Sequence, residues 1–211
     1  AFEIAGKGVA SPDAMILAVE YATKMGAKVA QYDTASDNHA SISLAKYYGF
    51  KEKKRMELLI ANHNEIKIKE KIKSKNQRFT ADVARNLYNK FDIGPGEEIC
   101  IGWSFIPYKY LTDDHGIWIC NNDAILLKID FGSNQDYEQP LEQEIWLIVY
   151  GKANAATELI QFILQEELET KDAEHIVIFC NSEIAKHIKK IGFKYPEDKP
   201  LGVVLFEKTL I

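Results

Sequence analysis

Residues 38–51 read NHASISLAKYYGFK, and residues 181–194 read NSEIAKHIKKIGFK. Both segments begin with an asparagine, continue as a predicted helix and reach Gly-Phe-Lys eleven residues after that asparagine. A shared Gly-Phe pair alone would be uninformative, but agreement over a longer stretch at a fixed spacing is the sign of an internal repeat. These two stretches therefore decide how the rest of the chain is interpreted.

The agreement extends upstream of both asparagines. The triplet Gly6-Lys7-Gly8 lies 32 residues before Asn38, and Gly151-Lys152-Ala153 lies 30 residues before Asn181. After the first triplet, Ser11-Pro12-Asp13 is typical of a helix start, because serine can cap, proline fits the first helical position and aspartate suits the positive end of the helix dipole. Glycine turn, helix, strand and helix in one order predict an α/β fold with a mixed sheet.

Periodicity and turn residues predict the remaining elements. The predicted strands are residues 27–32, 99–105, 116–120, 124–131, 144–150, 175–180 and 202–208. The predicted helices are residues 11–25, 40–48, 80–90, 154–169 and 182–191. Polar turns are predicted at residues 33–38 and 121–123, and a half-exposed strand is predicted around Ile66, Ile68 and Ile72, where charges alternate with isoleucines.

Composition excludes several classes of protein. The 211 residues suffice for one large domain or two small ones, and 46% of them are hydrophobic, which is ordinary for a globular protein. The longest apolar runs have six residues, whereas a membrane helix needs ~20. The net charge of -5 disfavours a general nucleic-acid binder. The cysteines at 100, 120 and 180 are too widely spaced for a zinc site, so no metal is expected, and they suit buried thiols in a reducing cytoplasm.

The stretch GKGVAS, followed by a helix, a strand ending in TASDN and a helix ending in Gly-Phe, resembles the GNAT superfamily of acyl-CoA-dependent N-acyltransferases. In that family a loop of pattern Q/R-x-x-G-x-G/A cradles the pyrophosphate of CoA, and the downstream asparagine lies near the pantetheine arm. The resemblance covers residues 3–50 well and residues 99–211 with weaker motifs. It implies a tandem N-acetyltransferase that uses acetyl-CoA as co-substrate.

Carried over residue by residue, the resemblance assigns acetyl-CoA binding to one loop and one asparagine: Gly6, Lys7, Gly8, Val9, Ala10, Ser11 and Asn38. Glu3 stands where the family has Gln or Arg, which removes a basic contact. Many members carry a tyrosine seven residues after the asparagine, which protonates the leaving thiolate, and here that position is Ala45. Tyr47 and Tyr48 lie nearby but point elsewhere on a helix, so we interpret them as core or surface aromatics.

The second copy departs further from the family pattern. Ala153 replaces the second glycine, Ile148 stands at the Gln/Arg position and Ile188 stands at the tyrosine position. We therefore interpret this copy as a non-catalytic partner domain. Trp103, Trp118 and Trp146 lie in its strands and are expected to pack in its core.

The repeat predicts the domain organisation. Residues 1–60 correspond to the C-terminal half of a first GNAT-like domain, and residues 61–211 to a nearly complete, degenerate second one. About 80–100 residues of β-rich chain are expected before Ala1 if the two copies are of similar size. The catalytic base belongs to that half in the family, so no catalytic residue is assigned.

Three hypotheses for function remain open at this stage. The first is acetyl transfer to a small-molecule or protein amine, with lysine, amino sugar and small amine equally open and homo-oligomerisation unresolved. The second is a CoA-binding or regulatory protein that kept the fold and lost turnover. The third is an interaction module that uses the nine Lys and Arg residues in 51–75, which outnumber four Glu, to contact acidic protein or RNA.

Overall fold

The structure is a computed structural model that describes residues 12–68, 77–79, 98–101, 104–107, 116–129, 144–168 and 175–210. Its α-helices are α1 (Pro12–Lys24), α2 (His39–Tyr47), α3 (Ala153–Leu168) and α4 (Ser182–Ile188). Its strands are β1 (Val29–Ala35), β2 (Lys51–Asn62), β3 (Gln77–Phe79), β4 (Glu98–Ile101), β5 (Ser104–Pro107), β6 (Gly116–Cys120), β7 (Ala124–Ile129), β8 (Glu144–Gly151), β9 (His175–Cys180) and β10 (Leu201–Thr209).

The mixed α/β fold and most elements are as predicted, and three details differ. Strand β1 extends to Ala35, so the first part of the polar turn predicted at 33–38 is strand. The strand predicted around Ile66 and Ile68 is wrong, because β2 ends at Asn62 and a 3-10 turn follows at His63–Glu65. The strand predicted at 99–105 is two short antiparallel strands, β4 and β5. The helix predicted at 80–90 lies outside the described residues, as do Ile72 and Trp103.

The chain forms two compact units. The first unit contains Ala1–Arg55 and Gly202–Ile211, and the second contains Met56–Leu201. These units are defined by packing, whereas the division into residues 1–60 and 61–211 concerns the two copies of the repeat and stays a prediction.

In the first unit, β1, β10 and the start of β2 form a sheet in that order. Strand β1 pairs antiparallel with β10, from Val29 opposite Thr209 to Ala35 opposite Val203. The helices lie on one face of this sheet. The core on that face is small: its buried members are Ile42, Ala45, Phe50, Val204 and Phe206.

In the second unit the strand order is β2-β9-β8-β7-β6-β3. Strands β8 and β9 are parallel, and α3 connects them, because parallel neighbours need a crossover connection. Helices α3 and α4 pack against each other, and α3 packs on β7 and β8. The core beneath them is larger than that of the first unit, and fully buried members include Leu59, Leu126, Leu147, Leu159, Ile178 and Ile188.

In each unit, the sheet includes a strand whose partner is distant along the chain. Strand β10 follows the second copy along the chain, yet it pairs with β1. Residues 57–62 of β2 follow the first copy, yet they pair antiparallel with β9, from Glu57 opposite Cys180 to Asn62 opposite His175. Strands that are far apart along the chain therefore pair in both units.

Cysteine and tryptophan burial agrees with expectation where side chains are described. Cys120 and Cys180 are buried, and neither forms a disulfide among the described residues. Trp146 is partly buried, and its ring centroid lies 5.8 Å from that of Phe179. The side chains of Cys100 and Trp118 are outside the described part.

Candidate functional site

Of the residues predicted to bind acetyl-CoA, the structure describes only Asn38. The loop residues Gly6, Lys7, Gly8, Val9, Ala10 and Ser11 lie outside the described residues. Asn38 is described, and it lies between the end of β1 and the start of α2. Its Oδ1 atom accepts a hydrogen bond of 3.1 Å from the backbone N–H of Ser41. Asn38 is therefore the N-cap of α2, which satisfies one of the unpaired amides of the first turn.

Asn181 has the same role in the second unit. Its Oδ1 atom accepts a hydrogen bond of 2.9 Å from the backbone N–H of Ile184, at the start of α4. Capping thus accounts for the asparagine at both positions, 38 and 181. Any role of Asn38 toward a ligand would add to this structural one.

The positions at which the family carries its acidic tyrosine are part of the core in both copies. Ala45 and Ile188 are both fully buried; the first belongs to α2 and the second is the last residue of α4. Tyr47 is 82% exposed, and its ring contacts that of Tyr48 edge to face at 5.1 Å. Tyr47 therefore lies away from the buried position of Ala45, as the sequence predicts.

The parallel pairing of β8 and β9 ends near their carboxyl ends. Their parallel pairing runs from Glu144 opposite His175 to Ile148 opposite Phe179 and stops there, although β8 continues to Gly151 and β9 to Cys180. Beyond that point β8 stays with β7 and β9 stays with β2.

The glycine turn of the second unit is packed against another turn. The backbone N–H of Lys152 donates a hydrogen bond of 2.8 Å to the carbonyl oxygen of Asp123, in the turn between β6 and β7. The Nζ atom of Lys152 lies 3.0 Å from the Asp123 carboxylate. The side chain of Asn121 also donates to the carbonyl of Ala155, at 3.0 Å. An amide and an ammonium that could bind an anion are thus occupied by an aspartate, which makes this helix start a poor phosphate site.

Gly151 is required at this turn. Its φ of +117° lies in the region that favours glycine, and an added Cβ would lie 2.3 Å from the carbonyl oxygen of Asp123. We expect Gly151→Ala to lower the free energy of unfolding by about 1–3 kcal/mol, measured by urea denaturation. The matched control is Gly26→Ala, where φ is +83° and nothing lies within 4 Å of the added Cβ. Equal losses in the two variants would contradict the role of the Asp123 contact.

A group of polar side chains on β2 and after α4 was not predicted from the sequence. The hydroxyl of Tyr195 donates a hydrogen bond of 2.5 Å to the carboxylate of Glu57, and Lys189 Nζ lies 3.3 Å from the centre of the Tyr195 ring. Burial and the bond to Glu57 raise the pKa of Tyr195 to about 12. Burial, with a smaller contribution from Glu57, also raises the pKa of Cys180, the residue opposite Glu57. Tyr195 therefore keeps its proton and acts as a donor, and Cys180 stays a thiol.

Two basic residues in the described part of the basic run, Lys53 and Arg55, pair with neighbouring carboxylates. An open groove of about 480 Å³ in the first unit is lined by Gly49, Lys51, Glu52, Lys53, Glu207, Lys208 and Thr209. Lys53 lies 3.5 Å from Glu207, and Arg55 lies 3.0 Å from Glu52. Lys208 donates to the carbonyl of Tyr48 at 2.8 Å. Paired surface charges of this kind attract an anionic partner weakly.

Two kinds of feature are absent from the described residues. Across those ranges, no helix is both long and apolar enough to span a bilayer. The same residues hold no group of three or more His, Cys, Asp or Glu side chains that could bind a metal ion.

The fold is similar to that of several solved N-acetyltransferases. A GCN5-related N-acetyltransferase from Sphaerobacter thermophilus matches 99% of this chain and 70% of its own, at TM-score 0.55 and 9% identity. One from Kribbella flavida matches 99% of this chain and 49% of its own (0.54, 11%), and one from Anabaena variabilis matches 99% and 52% (0.51, 8%). The chain thus spans about half the length of the last two. No family model and no curated protein matches the sequence.

Proposed function

We propose, from the fold that the chain shares with GCN5-related N-acetyltransferases, that it transfers an acetyl group from acetyl-CoA to an amine. The observation that carries the proposal is the pair of parallel strands β8 and β9. Strand β8 is followed by a glycine turn and a helix, and β9 is followed by an Asn-capped helix. The first copy repeats the helix, strand and capped helix in the same order.

We place acetyl-CoA in the first copy. In the second copy Asp123 occupies the amide and the lysine of the glycine turn. The matching triplet of the first copy is Gly6-Lys7-Gly8, whose second glycine would let backbone amides approach a phosphate, and Lys7 would add a positive charge. On this proposal the second copy does not bind acetyl-CoA itself.

The chemistry follows from the resemblance to the family. A neutral amine attacks the thioester carbonyl, the C–S bond breaks, and the thiol of CoA leaves with a proton. Backbone N–H groups would stabilise the oxyanion, and a base would take the proton of the amine. Because Ala45 occupies the position of the usual acid, protonation of the thiolate in this chain would fall to water or to another group.

Isothermal titration with acetyl-CoA tests the proposal directly. We expect saturable binding with one site per chain. Absence of binding at millimolar acetyl-CoA would overturn it.

The two capping asparagines provide a matched pair of variants. Asn38→Ala and Asn181→Ala each remove one N-cap hydrogen bond, so each should lower stability by about 1 kcal/mol in thermal or urea unfolding. Only Asn38→Ala should also weaken acetyl-CoA binding, because only the first copy is proposed to bind it. Equal affinities in both variants would restrict Asn38 to its capping role.

A second candidate function is a CoA-binding regulatory protein without turnover. The complete burial of Ala45 and Ile188 favours it, because both positions of the usual acid belong to the core. Binding of acetyl-CoA without release of thiol on a broad panel of amines would support this alternative. Rapid thiol release would exclude it.

A further inference from the structure

Helix α1 carries a row of exposed apolar side chains. Leu17 is 63% exposed, Tyr21 66% and Met25 70%. The backbone N–H of Met25 donates a hydrogen bond of 3.0 Å to the carbonyl of Tyr21, so the helical path continues through Met25. Because side chains four residues apart are neighbours on a helix, the three form one continuous surface, which we call the α1 stripe.

The α1 stripe points away from the core of the first unit. Val19 packs against that core. At about 100° per residue, Leu17 and Tyr21 lie about 160° around the helix from Val19, and Met25 lies about 120° from it. The opposite side of α1 therefore presents a leucine, a tyrosine and a methionine to solvent.

The equivalent helix of the second copy, α3, has no such stripe. Its buried residues include Leu159, Ile160 and Ile163, and no large apolar side chain is exposed in its described part. Single exposed apolar residues are common on protein surfaces, and Tyr47 of α2 is one of them. Several that are aligned on one helix are typical of a surface that contacts another molecule.

Two charged residues flank the α1 stripe on one side. Glu20 lies about 100° and Lys24 about 60° from Tyr21, in the same direction around the helix. Both are exposed, and neither has an ion-pair partner within the part of the chain that the structure describes. The acidic residue is nearer the N-terminus of the helix and the basic residue nearer its C-terminus.

This arrangement makes the α1 stripe complementary to itself. When two identical helices pack antiparallel about a two-fold axis, the same flank of each helix meets the same flank of the other. Glu20 of one molecule then lies beside Lys24 of the other molecule, and the pair occurs twice. In a parallel arrangement opposite flanks meet, and these two residues do not face each other.

We propose that two molecules of this chain dimerise through their α1 stripes, with the two α1 helices antiparallel about an axis near Tyr21. Tyr21 then contacts Tyr21 of the other molecule, and Leu17 contacts Met25 of the other molecule. Burial of the stripes supplies the affinity, whereas exposed ion pairs contribute little energy and fix the direction of the helices.

The size of the α1 stripe sets the expected strength of the dimer. Three side chains of this kind expose a few hundred Å² per molecule. Two such surfaces bury less than the roughly 1,200–2,000 Å² of a stable interface. We therefore expect a reversible dimer that dissociates at micromolar concentration.

Sedimentation equilibrium of the full chain, from micromolar to millimolar concentration, tests the proposal. The mean mass should rise toward twice the chain mass. Tyr21→Glu places two carboxylates together at the axis and should weaken dimerisation at least about tenfold. The control is Tyr47→Glu, the same change at a tyrosine that is 82% exposed and lies on α2, and it should leave the dimer unchanged. Because both tyrosines are mostly exposed, both variants should keep the Tm of the unaltered chain at low concentration.

Charge reversal tests the direction of the helices. Glu20→Lys brings lysines together and Lys24→Glu brings glutamates together, so each variant should dimerise more weakly than the unaltered chain. The double variant Glu20→Lys, Lys24→Glu should dimerise as the unaltered chain does, and a mixture of the two single variants should form mixed dimers.

Three results would overturn the inference. The first is an unaltered chain that stays monomeric at millimolar concentration, and the second is a dimer that persists in Tyr21→Glu. The third is a double variant that dimerises no better than the single ones, which would contradict the antiparallel pairing. Acetyl-CoA is absent from these measurements, so they are independent of the proposed function.

Discussion

Phe206→Ala is expected to unfold the first unit while the second unit remains folded. Phe206 is fully buried on β10 and is one of two phenylalanines among the five described residues that are buried in the core beneath α1 and α2. Replacing a buried phenylalanine by alanine costs about 3–5 kcal/mol, because apolar contacts are lost and a cavity remains. Whole domains are stable by only about 5–15 kcal/mol, and a core of five residues is at the weak end of that range.

Hydrogen exchange measured residue by residue distinguishes local from global unfolding. In Phe206→Ala, amides of β1 and α2 should exchange much faster, while those of β8 and β9 keep their protection. The reciprocal control is Phe193→Ala, which removes a buried ring from the core of the second unit. Uniform loss of protection in both variants would mean that the two units unfold as one.

Gly8→Glu is expected to abolish acetyl-CoA binding, with a loss of at least about a hundredfold in affinity. The sequence predicts this residue in a glycine turn before a helix, where phosphate would lie against backbone amides. A glutamate there adds both bulk and a negative charge, so the pyrophosphate would lose hydrogen bonds and meet a like charge. Isothermal titration compares the variant with the unaltered chain.

The matched control for Gly8→Glu lies in the second copy. Asn154→Glu adds a carboxylate in the first turn of α3, at an exposed position one residue after the Gly151-Lys152-Ala153 triplet. The aspartate already in contact with that turn should make the added charge irrelevant to acetyl-CoA. Unchanged affinity in Gly8→Glu would show that the first glycine turn is only a helix start, and weaker binding in Asn154→Glu would move the site to the second copy.

The parts of the fold that the sequence predicts best are those whose local signals agree with their packing. Strands β8 and β9 are continuous apolar runs, as expected for parallel strands that are covered on both sides. The sequence predicts this strand at residues 27–32, whereas β1 runs from Val29 to Ala35. The predicted strand ends too early because Asp33 and Thr34 resemble turn residues. Its pairing with β10 overrides that local preference, and no local signal reveals the pairing because the partner lies about 170 residues away along the chain.

The candidate site shows the same limit. The repeat aligns Asn38 with Asn181, and both are N-caps in the structure. The roles of Asp123, Glu57 and Tyr195 depend on contacts between distant segments, such as the bond between Glu57 and Tyr195, that no spacing rule predicts.

The pairing of β1 with β10 also affects the order in which the two units can fold during synthesis. The second unit needs only Met56–Leu201, so all of its residues have been made before β10 begins to emerge. The first unit begins earliest but needs residues 202–211 to finish its sheet. Domains generally fold as they leave the ribosome, from the N-terminus onward, and contacts across long separations form slowly. We therefore expect the first unit, which is proposed to hold acetyl-CoA, to finish folding after the second.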